Sequence, residues 1–139
     1  MTILFSAAIA AAMLFQPAIQ SQSPDRDPLL DQLYPHPDTE PRALAKRLRV
    51  EARNAAWAEP SEAALRAHYA TLSDDVELVR IVCASTVCEV VGKIATTDPK
   101  SINAAMKALQ VSRGGPTGLR RASVSFSRGL FAVYWLRKK

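Results

Sequence analysis

The sequence has few of the residues that most often carry chemistry. Its 139 residues include two cysteines and two histidines, with no cluster of the two types, so no zinc site is expected. His68 has no acidic or cysteine residue nearby that would make it a metal ligand, and neither a G-x-S-x-G nor an H-E-x-x-H motif occurs. We therefore expect no catalytic site, no metal and no cofactor.

Large apolar side chains are also scarce. Hydrophobic residues make up 48% of the chain, but 23 residues are alanine and nine are aromatic. That is enough for one compact core and too little for two. The charged fraction of 22% excludes both full disorder and a membrane-embedded bundle.

The apolar run near the start is shorter than the roughly 20 residues that a membrane span needs. Residues 3–15 (ILFSAAIAAAMLF) make up this run, and no charged side chain precedes Asp25. The length is typical of a secretory signal, so we predict a signal peptide over residues 1–23 and a periplasmic or secreted protein. Two alternatives remain open: a signal anchor, held in the inner membrane through residues 3–20 and facing the periplasm, and a buried helix of a cytosolic protein.

A proline-rich stretch follows. Six of the nine prolines lie from Pro17 to Pro41, which predicts a tether at residues 24–40 and a single domain at residues 41–139. An apolar group inside the tether predicts either one turn docked on the domain or a short partner-binding motif. This group is Leu29, Leu30, Leu33 and Tyr34.

Three helices are predicted in the domain. Thr39 caps the first, whose apolar stripe runs to Trp57. The second begins near Pro60, and the third begins at Asp98-Pro99, an N-cap followed by proline at the first helical position.

Two hairpins of β-branched and alternating residues complete the domain. The element order is α-α-β-β-α-β-β, which predicts an α+β domain with a mostly antiparallel four-stranded sheet covered by helices on one face. The predicted strands are residues 76–83, 88–95, 122–127 and 130–136.

The turn of the second hairpin sets its register. A two-residue turn at Arg128-Gly129 pairs Ser127 with Leu130. This register gives one apolar face, which we expect the helices to cover, and a slip of one residue would expose it. The expected partners on that face are Phe126 with Phe131, Val124 with Val133, and Ala122 with Trp135.

Cys83 and Cys88 lie on either side of the first hairpin's loop and face each other if the hairpin closes there. In an exported protein such a pair is expected to form a disulfide. One alternative is a redox-active dithiol, although that chemistry normally uses C-x-x-C spacing at a helix start rather than C-x4-C. The others are a metal site, which would need two further ligands, and two free thiols in a cytosolic protein.

Acidic residues are absent from the end of the chain. Residues 25–99 carry nine Lys or Arg and 13 Asp or Glu, whereas residues 100–139 carry nine Lys or Arg and no acid. The last part of the domain should therefore have a positive field, which is either solvated or used to bind an anionic partner. The candidate partner-binding residues are Arg120, Arg121, Arg128, Tyr134 and Arg137.

These observations predict a small exported binding module rather than an enzyme. Its expected partner is an anionic envelope component or an acidic protein. Nucleic acid is not expected, and membrane contact is expected only through an uncleaved leader or the basic tail, Arg137-Lys138-Lys139. The alternatives are a thiol-disulfide protein using Cys83 and Cys88, or a cytosolic RNA-binding domain if the chain is not exported.

The stretch from Glu51 to Glu89 resembles a group of known proteins. It begins EARNAAWAEPSEAALRAHY and ends in the β-rich run IVCASTVCEV. A Trp-Ala helix entry followed by a strand, a C-x4-C pair and a second strand resembles a loose group of uncharacterised, exported or membrane-anchored proteins of Gram-negative bacteria. The resemblance implies an envelope location and a Cys83–Cys88 disulfide, and it carries no activity to this chain.

Overall fold

The computed structural model describes residues 27–111 and 114–139. The predicted leader, residues 1–23, lies outside the described residues. In the part that is described, the elements along the chain are Pro28–Leu33 (α1), Glu40–Val50 (α2), Ala55–Ala70 (α3), Val76–Cys83 (β1), Val87–Ile94 (β2), Pro99–Val111 (α4), Leu119–Ser127 (β3) and Leu130–Arg137 (β4).

The four strands form one sheet in the order β1-β2-β4-β3. All three neighbouring pairs are antiparallel, so β2 and β4 join the two hairpins at the centre and β1 and β3 form the edges. The predicted α+β class with a four-stranded antiparallel sheet is confirmed.

Helices pack against both faces of the sheet. On one face, α3 and α4 cover the side chains of Val90, Phe131 and Trp135. On the other, α1 and α2 cover those of Val91 and Tyr134. The expectation that helices cover only one face is therefore not confirmed.

The second layer exists because the predicted tether contributes a helix. Asp27 caps α1, since its Oδ1 accepts a hydrogen bond from the backbone N–H of Leu29 at 3.0 Å. Leu30, Leu33 and Tyr34 are buried against the sheet. Burial of these three large side chains outweighs the extended preference of the neighbouring prolines, so residues 27–34 belong to the folded domain.

The boundary between α2 and α3 differs from the prediction. α2 ends at Val50 and α3 begins at Ala55, with Pro60 inside it rather than at its start. Asn54 sets this start, because its side chain accepts from the N–H of Trp57 at 3.3 Å and its own N–H donates to the carbonyl of Ala84 at 3.1 Å. The predicted start of α4 at Pro99 is correct, with Asp98 accepting from the N–H of Ser101 at 2.9 Å.

The second hairpin has the predicted register only near its turn. Arg128 and Gly129 have φ values of 49° and 78°, and Ser127 pairs with Leu130 as expected. An extra residue then shifts the pairing between Arg121 and Ser123, so Arg121 rather than Ala122 lies opposite Trp135. This β-bulge accounts for the error, because alternation alone does not reveal an inserted residue.

The cysteines form the predicted disulfide. Cys83 pairs with Cys88 at the end of the first hairpin and is bonded to it. Both residues are almost fully buried, with relative exposures of 1% and 0%. The bond therefore lies in the core between α3 and the sheet.

Candidate functional site

The structure separates the residues predicted to bind a partner. Arg120 and Arg137 lie at one end of the sheet, at the start of β3 and the end of β4. Arg128 lies in the turn at the opposite end. Arg121 donates hydrogen bonds to the carbonyl oxygens of Leu109 and Gln110, at 2.8 and 2.6 Å, and so caps α4.

Tyr134 does not lie with these arginines. Its side chain is fully buried, and its hydroxyl donates a 2.6 Å hydrogen bond to the Glu89 carboxylate. The face of the sheet that carries Tyr134 is covered by α1 and α2, which is why Tyr134 is not available there to a partner.

The two arginines at the sheet end belong to an open cavity of about 850 Å³, here called the basic cleft. Side chains from α2, the β1–β2 loop, β3 and the C-terminal residues meet there. Five of the seven lining residues are cationic, and the full set is Arg47, Thr86, Arg120, Leu136, Arg137, Lys138 and Lys139.

Backbone hydrogen bonds fix the walls of the basic cleft. The N–H of Arg137 donates to the carbonyl of Thr86 at 2.9 Å, and the N–H of Lys138 donates to the carbonyl of Gly118 at 2.8 Å. The C-terminal residues are therefore held between the β1–β2 loop and the start of β3. This arrangement brings together cations that are far apart in sequence.

Glu51 braces the loop that carries Thr86. Its carboxylate accepts from the N–H of Thr86 at 3.0 Å and of Ser85 at 3.3 Å, and it also bonds the Thr86 hydroxyl. Arg47 pairs with the same carboxylate at 3.1 Å. Partial burial alone would raise the pKa of Glu51, but hydrogen bonds from Thr86, Arg47 and Ser85 lower the pKa to about 2.

The cations of the basic cleft differ in how far they are neutralised. Arg47 pairs with Glu51, and the Arg137 guanidinium lies 5.4 Å from the centre of the Trp57 ring. Across residues 27–111 and 114–139, no ion pair forms to Arg120, Arg137, Lys138 or Lys139. These four exposed side chains therefore give the mouth of the cleft an excess of positive charge.

A second group of charges has the opposite character and is here called the buried network: Asp27, Arg80, Glu89 and Tyr134. Glu89 is 3% exposed and accepts from Arg80 Nε at 2.8 Å and from the Tyr134 hydroxyl. Arg80 also pairs with Asp27 at 2.7 Å, at the cap of α1. The buried network thus links α1 to the sheet, and every charge in it has a partner.

The same contacts shift the pKa values of the buried network. Burial raises the pKa of Tyr134, and the adjacent Glu89 carboxylate raises it further. Burial alone would raise the pKa of Asp27, but the hydrogen bond and charge of Arg80 lower it below the usual value. Tyr134 therefore stays protonated as a donor, and Asp27 stays ionised as a cap.

His68 lies at the edge of the core, with its ring edge-on to Tyr69 at 5.3 Å and to Trp135 at 5.9 Å. Burial lowers the pKa of its imidazole, and the charge of Arg121 adds to this effect. In the described part of the chain, no group of three or more His, Cys, Asp or Glu side chains is placed to hold a metal ion. Nor is any helix there both long and apolar enough to cross a bilayer.

Sequence reasoning missed three residues of the basic cleft, one of them the apolar Leu136, and grouped two others differently. Arg47 belongs to the half of the chain with a negative net charge, and Thr86 belongs to a short hairpin loop. Lys138 and Lys139 were expected to act as a basic tail. Only the antiparallel pairing of β2 with β4, which brings the loop beside the C-terminal residues, could have revealed the shared site.

Comparison of the chain with protein-family models, with curated proteins and with solved structures gives no match.

Proposed function

We propose that the chain is an exported, non-catalytic binding module whose basic cleft binds an anionic group of an envelope component or an acidic protein. The observation that carries this proposal is the convergence of five cationic side chains on one open cavity. Four of them, all except Arg47, make no ion pair within the described residues.

The donors in the basic cleft suit oxyanions. Arg120 and Arg137 offer planar guanidinium groups that can bind a carboxylate or phosphate through two hydrogen bonds. Lys138 and Lys139 add ammonium groups at the rim. Because Glu51 already fixes Arg47 and the loop, the remaining cations can contact a ligand without breaking an internal ion pair.

The disulfide supports two parts of the proposal, namely that the protein is exported and that it is not a thiol-disulfide enzyme. A Cys83–Cys88 bond is expected in an oxidising compartment, consistent with a periplasmic or secreted location. The burial of both cysteines favours a structural role over thiol-disulfide exchange, which needs an accessible sulfur.

The test compares two variants with the same change in charge. One replaces Arg120, Lys138 and Lys139 with Gln, and the control replaces Arg66, Lys100 and Lys107, which are exposed and lie outside the basic cleft. Fluorescence anisotropy of labelled octaglutamate and cosedimentation with phosphatidylglycerol vesicles measure binding to an acidic protein mimic and to a lipid surface.

The proposal predicts that the cleft variant binds at least one of the two probes tenfold or more weakly than the parent, because each cation near an anionic surface contributes about 1 kcal/mol. The control variant should stay within about twofold. Equal losses in both variants would indicate a diffuse charge effect and contradict a specific cleft, and no binding by the parent would contradict the function itself.

A further inference from the structure

We propose that the free edge of β3 binds an extended polypeptide segment with acidic flanks, which adds to the sheet as a fifth strand. This goes beyond the proposed function, because the main contact is made by backbone groups of β3, and only Arg120 is shared with the basic cleft. Four properties of the edge support it: free hydrogen-bonding groups, a lack of protection, a pattern of side chains, and the placement of two arginines.

The turn identifies which backbone groups are free. Arg128 and Gly129 both have positive φ values, as in a type I′ turn, whose closing pair exchanges backbone hydrogen bonds. That pair is Ser127 with Leu130, and such pairs alternate along an antiparallel ladder. Val124 and Phe126 therefore direct their N–H and C=O groups away from β4, towards the outer edge.

Those groups have no partner in the part of the chain that the structure describes. The backbone bonds outside regular ladders include none from Val124 or Phe126, and no side chain bonds to them. An unpaired row of this kind is a template for strand addition.

The opposite edge of the sheet, formed by β1, is protected against strand addition, whereas the edge formed by β3 is not. β1 has a bulge between Leu78 and Arg80, and the N–H of Cys83 donates to Glu62 at 2.8 Å. Charged side chains also lie along β1, with Glu77 pairing with Lys93 at 3.2 Å. Bulges and charges are the usual means of blocking an edge. β3 has its own bulge between Arg121 and Ser123, but neither a bulge nor a charge interrupts residues 123–127.

The side chains of β3 define what an added strand would carry. Val124 and Phe126 are half-buried beside the core under α3 and α4. The serines at 123, 125 and 127 alternate with them on the face that α1 and α2 cover. A strand of alternating apolar and polar residues would therefore match the edge, with its apolar side chains next to Val124 and Phe126.

Two exposed arginines favour an acidic partner over a second copy. Arg120 and Arg128 lie beyond the two ends of the uncharged run. In an antiparallel pair of two β3 strands, the arginines of one copy would approach those of the other, which is destabilising. Acidic residues at both ends of the added segment would instead pair with them.

The probe is a nine-residue peptide, Glu-Glu-Thr-Val-Thr-Val-Thr-Glu-Glu, with blocked ends, added to the full chain. Amide hydrogen exchange followed by NMR should show fast exchange at Val124 and Phe126 in the free protein and slow exchange at Ser125. Saturating peptide should slow exchange at Val124 and Phe126 at least tenfold and leave Ser125 unchanged.

Matched changes in the peptide and the protein test the pairing itself. N-methylation of the two valines, whose N–H groups would face β3, should weaken binding at least tenfold, whereas N-methylation of the threonines beside them should change it less than threefold. V124P removes one outward donor and should also weaken binding, whereas V124T should not. The methylated peptides keep the test valid if V124P fails to fold.

Three outcomes would overturn the inference. The first is binding without slowed exchange at Val124 and Phe126. The second is slow exchange there in the dilute free protein, which would mean that the chain's own residues occupy the edge. The third is protection that rises with protein concentration alone, which would assign the edge to a second copy.

V124P should still bind octaglutamate in the basic cleft, so failure of the edge and failure of the proposed function give different results.

Discussion

The basic cleft and the buried network use the same kinds of side chain in opposite ways. In the buried network, Arg80 contacts two carboxylates and Glu89 is 3% exposed. In the basic cleft, Arg120 and Lys138 are exposed and form no ion pair with any described residue. A buried charge that loses its partner destabilises the fold, whereas an exposed cation can be removed at little cost.

The comparison therefore separates stability from binding. Changes in the buried network should alter the free energy of unfolding, and changes at the mouth of the basic cleft should alter the affinity for anions. The following predictions test this separation, from the largest expected effect to the smallest.

Arg80→Ala should reduce the free energy of unfolding by about 3–5 kcal/mol, because it leaves the buried Glu89 carboxylate without its cation. Arg120→Ala, an equal change of charge at an exposed site, should reduce it by less than about 0.5 kcal/mol. Urea unfolding measures both. Similar losses in the two variants would remove the distinction between the two charged regions.

Replacing both cysteines with Ala should reduce the free energy of unfolding by about 2 kcal/mol, since the disulfide closes a short loop. The β1–β2 loop forms one wall of the basic cleft, so octaglutamate affinity should fall only if the loop loses its position. Thermal unfolding and anisotropy on the same sample separate the two effects. Unchanged stability would show that the hairpin does not depend on the bond.

Glu51 links stability to pH beside the basic cleft. Its pKa is lowered from 4.5 to about 2 in the folded protein, so its stabilising contribution is fully present above about pH 4.5 and is lost as the pH falls towards 2. Glu51→Gln should cost about 1.5 kcal/mol at pH 7, the scale of a hydrogen bond to a charged group.

The difference in unfolding free energy between the parent and Glu51→Gln should shrink as the pH falls from 5 to 2. Chemical unfolding at a series of pH values measures it. A difference that stays constant over this range would mean that the Glu51 carboxylate does not hold the loop in its ionised form.

Arg128→Asn should produce the smallest effect, and it should increase the stability of the fold. Asn tolerates the positive φ at this position better than Arg, so the free energy of unfolding should rise by about 0.5 kcal/mol. Binding of octaglutamate should not change, because Arg128 lies at the far end of the sheet from the basic cleft. Weaker binding in this variant would extend the anion site beyond the cleft.

Much of the fold could be predicted from local patterns. The Arg128-Gly129 turn and the alternation of residues 122–127 predicted the second hairpin and its register near the turn. The spacing of Cys83 and Cys88 around a short loop predicted their pairing. These features depend on residues that are close together in the sequence, so the local sequence alone was enough to predict them.

The errors arose where distant segments decide the structure. Proline content suggested a tether at residues 24–40, whereas contact with the sheet makes part of it a helix. Tyr134 was placed on a binding surface because the layer formed by α1 and α2 was not foreseen. The basic cleft joins Arg47 to the C-terminal residues, and no local pattern connects them.

The most direct test of the central claim is a chemical-shift map of the ¹⁵N-labelled full chain titrated with inorganic pyrophosphate at low ionic strength. The account predicts saturable shifts at Thr86, Arg120 and Lys138, the residues around the mouth of the basic cleft. Equal, non-saturating shifts at Arg66, Lys100 and Lys107, or no shifts at Thr86, would contradict it.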